Sequence, residues 1–140
     1  MKWLVPLAGA TLLLAVPVMT WWLVGDLSTV PLSSDPDYFI RPFRIRPALE
    51  LVLGWGSVLV AIVAALLLTW ASLRKGMDPR WWSVLGPLLL IGVLVGFGWR
   101  VFTAGVIGAN IGAGLFTFLA GPVIAVLLAW AVFRSVTLLR

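Results

Sequence analysis

Residues 51–73, LVLGWGSVLVAIVAALLLTWASL, form 23 consecutive positions without a single charge. A helix needs about 20 apolar residues to cross the hydrocarbon of a bilayer, so this stretch is long enough to span it. Three more runs share its character: 3–25, 81–99 and 101–133, of 23, 19 and 33 residues. Together they fill most of a 140-residue chain that is 62% hydrophobic, with a mean hydropathy of +1.12. Only 11% of the residues are charged, where soluble domains carry roughly a quarter. The expected fold is therefore an all-α integral membrane protein, with four transmembrane helices in a compact antiparallel bundle.

Punctuation between the runs divides this single membrane domain, 1–140. A first span over 3–24 is followed by an outer loop 25–46, and a second span 47–73 opens at Pro47 with Glu50 in its first turn. There a carboxylate meets the positive end of the helix dipole, a structural role that fits Glu50 better than catalysis. An inner turn 74–79 follows. Gly76 suits a helix C-cap, and Asp78-Pro79 reads as an N-cap followed by proline at the first helical position. The third span is 80–100, the fourth 110–133, with an outer or re-entrant segment 101–109 between them and an inner tail 134–140. Met1–Lys2 before an apolar run resembles a secretory signal, but the run extends past the usual h-region of roughly 7–15 residues. It ends in Trp21-Trp22 rather than small residues, and its one A-x-A match, Ala8-Gly9-Ala10, lies at the wrong end. The segment is expected to be retained, with its tryptophans at the interface.

Cations are retained on the cytoplasmic side of membranes. Lys2, Arg74, Lys75, Arg80, Arg134 and Arg140 fall on one side of this topology; Arg41, Arg44, Arg46 and Arg100 fall on the other. Six against four places both termini in the cytoplasm. Arginine outnumbers lysine eight to two, which with the Ala, Gly and Val bias points to a GC-rich bacterial genome and so to a bacterial inner membrane.

Cysteine and histidine are both absent. That removes thiolate nucleophiles, zinc–sulfur and iron–sulfur sites, His-ligated haem and imidazole bases. No cofactor is expected. The formal charge of +5 does not indicate nucleic acid, because its cations stand singly at helix ends, where they anchor to headgroups. Asp35 and Asp37 form a D-x-D pair, a pattern that holds divalent cations elsewhere, but two carboxylates around Pro36 without further ligands describe a turn equally well. Neither a nucleophile–base pair nor a glycine-rich phosphate cradle is present. The chain is not expected to be an enzyme.

Within lipid, small residues mark where helix backbones meet. Gly54, Ser57 and Ala61 share one stripe, Gly92 and Gly96 another, Gly108 and Gly112 a third, and Ala8, Thr11 and Ala15 a fourth. At least one of these is expected to contact another chain. The 33-residue run would reach about 50 Å as one helix, against a core of about 30 Å. Were it continuous, Thr103, Asn110 and Thr117 would recur every seven residues as a polar face within the membrane, able to line a pore or to bond neighbouring helices. The loop 26–50 holds seven of the fifteen charges. Its residues 40–46 alternate between apolar and basic, as an extended strip on a membrane surface would. Arg41, Arg44, Arg46 and Arg100 there could bind lipid phosphates or pair with nearby acids.

The lipid bilayer is the first expected partner. An accessory or assembly subunit that packs against another membrane protein through its Gly/Ala helix faces accounts best for small-residue faces without chemistry-bearing side chains; a membrane-protein partner or a homo-oligomer is expected. A small oligomeric channel or uncoupled transporter with a Thr/Asn-lined face is the first alternative, and an outer-surface lipid-headgroup binding protein or enzyme the second. A proton-coupled carrier is disfavoured, since no ionisable residue falls inside the spans.

Overall fold

The computed structural model describes residues 3–29, 31 and 36–140. It is all-helical: α1 (Leu4–Val24), α2 (Pro47–Leu73), α3 (Trp82–Thr103, preceded by a 3-10 turn at Pro79–Trp81) and α4 (Ala109–Leu139). All four helices are long and apolar enough to cross a membrane. The protein is a multi-pass membrane protein whose helices pack against one another. Every described charge lies at a helix end or beyond it, and the middle of each helix has none.

Helix α1 packs on α2 and on α3, and α3 packs on α4. Among the described residues no comparable contact joins α2 to α3 or α4, or α1 to α4, so the helices stand in the order α2–α1–α3–α4. The two hairpins are antiparallel, as expected. They meet through α1 and α3, which run parallel: the α3 glycines Gly92 and Gly96 lie beside Val16–Pro17 and Pro17–Trp21 of α1, respectively.

Small residues make both inner contacts. Between α1 and α2, Ala8, Leu12, Ala15 and Val16 are buried with Ala61, Ala64, Leu68 and Ala71. Gly54 sits flat under the Trp22 indole, and Ser57 satisfies its hydroxyl on the Gly54 carbonyl at 2.8 Å. Between α1 and α3, a proline supplies the knob. Pro17 lies inside α1, its ring against Gly92 and its carbonyl against Gly96. Glycine alone leaves room for that approach, and no hydrophobic attraction is available in lipid to replace the lost contact.

The connection between α2 and the 3-10 turn differs in one detail from expectation. The left-handed residue is Lys75 (φ 57°), not Gly76, and the Gly76 N–H bonds back to the Ala71 carbonyl at 2.8 Å. Asp78 caps as its sequence suggests, accepting the Arg80 N–H at 2.8 Å, with Pro79 next.

The largest differences concern 101–140. Residues 101–103 complete α3 and 109 already begins α4, so 101–109 is not a separate re-entrant element. Ala104 turns extended (ψ 130°), and Gly108 adopts the left-handed conformation (φ 75°) that starts the next helix. Residues 134–139 are not a tail but the last turns of α4. Within these turns Arg134 is tied to α3: its Nε donates to Ser83 Oγ at 3.1 Å.

All nine tryptophans lie toward one end of the row or the other. Trp21, Trp22, Trp55 and Trp99 share the end carrying the long loop; Trp3, Trp70, Trp81, Trp82 and Trp130 share the end carrying both termini. Indoles favour the headgroup layer. At 1.5 Å per residue these belts stand about 22–28 Å apart along α1, α2 and α3, which matches bilayer hydrocarbon of about 30 Å.

A methyl group at Gly96 would meet the Pro17 carbonyl and approach Thr20 Cβ at 2.8 Å, whereas one at Gly86 meets nothing within 4 Å. Gly96→Ala is therefore expected to lower stability by about 2 kcal/mol, an overpacking cost, and Gly86→Ala to leave it within about 0.5 kcal/mol. Unfolding in mixed micelles by sodium dodecyl sulfate measures both. Equal stability of the two variants would contradict the α1–α3 contact.

Candidate functional site

The polar chemistry of the protein gathers at its loop end, around Arg100. An α-helix leaves its last four carbonyls without intrahelical partners. In α1 one of these, on Trp21, accepts a hydrogen bond from Arg100 Nε at 2.6 Å. The same guanidinium lies 4.3 Å from the Trp21 ring centroid, close enough for a cation–π contact. Its Nη2 donates to Glu50 Oε1 at 3.1 Å, closing an ion pair with the first turn of α2. One side chain of α3 thus holds the ends of α1 and α2. The Arg100 side chain is 12% exposed and Glu50 is 38% exposed.

Beside this clamp, the long loop is stitched to the α3–α4 connection. Leaving the helix frees the Phe102 carbonyl, which accepts the Ile40 N–H at 2.9 Å. Thr29 N–H donates to the Gly105 carbonyl at 3.1 Å, and Val106 N–H to the Asp37 carbonyl at 3.2 Å. Gly105 N–H donates to Ser28 Oγ at 2.9 Å, and that hydroxyl donates onward to Asp26 Oδ1 at 2.7 Å. The Tyr38 ring lies over Gly105, at a distance that leaves little space for a side chain there, and Phe39 pairs with Phe102 at 5.5 Å. Ala104 and Gly105 are buried as a result.

The Ser28 hydroxyl holds the Asp26 carboxyl below the ordinary carboxylate range, helped by the Ser28 N–H and the Arg100 charge and opposed by partial burial.

A crevice of about 370 Å³ opens between the strip 42–45 and the end of α3, lined among others by Trp21, Phe43, Arg44, Glu50, Trp99 and Arg100. Residues 41–46 are non-helical and exposed, Phe43 at 80%. Arg41, Arg44 and Arg46 are therefore exposed, with Arg44 also bordering the crevice, while Arg100, grouped with them by sequence, is turned inward onto Glu50. Lys2 and Asp35 lie outside the described residues, and with Asp35 the D-x-D pair. Among the described residues no three acidic side chains converge as a metal site would require.

The Thr103–Asn110–Thr117 face does not exist as one stripe, because the break at 104–108 puts Thr103 on α3 and the other two on α4. Thr103 is buried and donates to the Trp99 carbonyl at 2.7 Å. Asn110 and Thr117 are exposed. Gly54, Ser57, Ala61, Gly92 and Gly96 all serve contacts within the chain. Gly108 is a turn residue and Gly112 meets nothing within 4 Å, so that pair packs no helix of this chain. Gly98, not singled out by any motif, is where the Phe116 ring crosses α3.

On α4 the buried residues are Ala109, Ala113, Ala120 and Ala131, the line that meets α3. About a quarter turn away run Asn110, Gly114, Thr117, Gly121 and Ala125, all exposed. Thr117 and Gly121 also border an apolar groove of about 340 Å³ between α3 and α4, with Val95, Gly98 and Ile124. No protein-family model, curated protein or solved structure matches the chain.

Arg100→Gln leaves the Trp21 carbonyl and Glu50 without their donor and is expected to cost about 2 kcal/mol. Glu50→Gln should cost less than about 1 kcal/mol, since Glu50 remains open to solvent. Thermal unfolding in detergent ranks the two, and the reverse order would refute the clamp. Because the folded Asp26 carboxyl sits below its unfolded value near 3.9, its contribution is complete above that pH and is lost as pH falls through the folded value. Melting temperature should accordingly fall on acidification from pH 5 to 3, and fall less steeply in Asp26→Asn. An identical slope in that variant would remove the Asp26 relay as the cause.

Proposed function

We propose that the protein is an accessory or assembly subunit that docks laterally on another membrane protein through α4. The observation that supports this reading is the exposed small and polar line Asn110, Gly114, Thr117, Gly121 and Ala125, set beside the α3–α4 groove. The corresponding faces of α1, α2 and α3 are used up inside the chain; this one is not. In lipid, a surface of glycine and alanine gains nothing from exposure, while it allows a second helix to approach closely enough for dispersion and interhelical hydrogen bonds. Asn110 supplies an amide for such a bond. Thr117 returns its proton to the Ala113 carbonyl at 2.8 Å and keeps acceptor capacity for a partner.

The row arrangement favours the same reading. Among the described residues α4 is the least buried of the four helices and packs only on α3 and the turn before it, so its outer side is open to a partner helix. The break that removes Thr103 from the polar face also weakens the pore alternative, which relied on three polar residues along one helix.

Purification from native membranes in mild detergent is expected to recover a different membrane protein in fixed stoichiometry. Gly114→Leu together with Gly121→Leu should reduce that recovery about tenfold, equivalent to about 1.4 kcal/mol. Gly56→Leu and Gly86→Leu, at glycines of α2 and α3 where an added Cβ likewise meets nothing within 4 Å, should not. A clean homo-oligomer, or equal loss from both pairs of variants, would sink the proposal.

A further inference from the structure

Whereas the groove at the opposite end carries Arg74 alone, the crevice at the loop end is, among the described grooves, the one where charged side chains of both signs converge: Arg44, Arg100 and Glu50. Its fixed part is Arg100. A guanidinium carries five N–H donors, and among the described residues only those on Nε and Nη2 have protein partners. Its adjustable part is Arg44, on the exposed strip opposite, with Arg41 and Arg46 two or three residues away. Glu50 offsets one cation, so the lining retains a net positive charge that rises with the flanking arginines. The volume falls at the lower end of ordinary ligand sites, about 300–1,000 Å³.

Its height in the membrane narrows the ligand. Trp21 and Trp99 border the crevice and belong to the interfacial belt of the loop end, the level at which phospholipid phosphates sit. The exposed Phe43 and the Trp99 indole provide apolar walls beside the cations. An anion with a hydrocarbon continuation meets both requirements, since planar guanidinium groups match the oxygens of a phosphate.

We propose that this crevice binds the phosphodiester of an anionic phospholipid, gripped between Arg44 on the strip and Arg100 at the end of α3, with the lipid tail descending past Trp99. Arg100 is already oriented by Trp21 and Glu50, so binding requires ordering of Arg44 alone. The site lies on the strip and α3, apart from the α4 line, and stands or falls independently of lateral docking.

The test uses the full chain in detergent, stripped of native lipid and offered dioleoyl phosphatidylglycerol, dioleoyl phosphatidylcholine or inorganic phosphate, with bound species read by native mass spectrometry. Phosphatidylglycerol is expected to be retained about tenfold over phosphatidylcholine, about 1.4 kcal/mol, because both offer the same phosphodiester but the choline cation cancels its charge and is repelled by the arginines. Arg44→Gln should abolish that preference without changing the melting temperature, and Arg74→Gln at the opposite end should preserve it. Equal retention of the two lipids, or equal losses in the two variants, would overturn the site. Displacement of phosphatidylglycerol by millimolar inorganic phosphate would overturn its assignment to a lipid.

Discussion

The loop end of the protein depends on one guanidinium. Arg100 completes the carbonyl end of α1, faces the Trp21 ring and pairs with the carboxylate that opens α2, so three helices converge on a single side chain of α3. The chain places this charge at the boundary of the lipid rather than within it. There the cost of partial burial is offset by a helix-end dipole, an aromatic face and a carboxylate together. Everything built around it inherits that fixed point. The stitched loop lies beside it, and the crevice takes it as a wall.

The body of the molecule obeys a different rule. Water does not drive helices together inside a bilayer, so the order α2–α1–α3–α4 follows from where backbones can come close. Alanines line the α1–α2 contact, and a proline knob set into two glycines makes the α1–α3 contact. The α3–α4 contact is lighter: alanines along α4, and the Phe116 ring resting in the space above Gly98.

Helix number, helix type and the extent of α2 were legible in the sequence because charge-free length is a direct measure of what a bilayer demands. Asp78-Pro79 was legible because capping is local. The break after Thr103 was harder to see: 101–133 contains no charge, and the signal lies in backbone bonds from Thr29, Asp37 and Ile40, far away in the chain. The same distance concealed the Arg100–Glu50 pair, since fifty residues separate its members. Glycine stripes could be located from spacing, but not their partners. A Gly-x-x-x-Gly looks alike whether it receives Pro17, as at Gly92 and Gly96, or meets nothing, as at Gly112.

Helix α4 extends 31 residues, about 46 Å. From Asn110 to Trp130 it covers about 30 Å, the depth of ordinary hydrocarbon. The turns beyond Trp130 still carry Val132, Phe133, Val136 and Leu139 on the outside. These apolar side chains form a plinth in the headgroup region that a thicker bilayer would submerge and a thinner one would strand in water. Hydrophobic mismatch costs membrane proteins fractions of a kcal/mol per ångström and is relieved by tilting or by a local change in bilayer thickness, so the length of the last helix sets how much apolar surface has to be accommodated in that way.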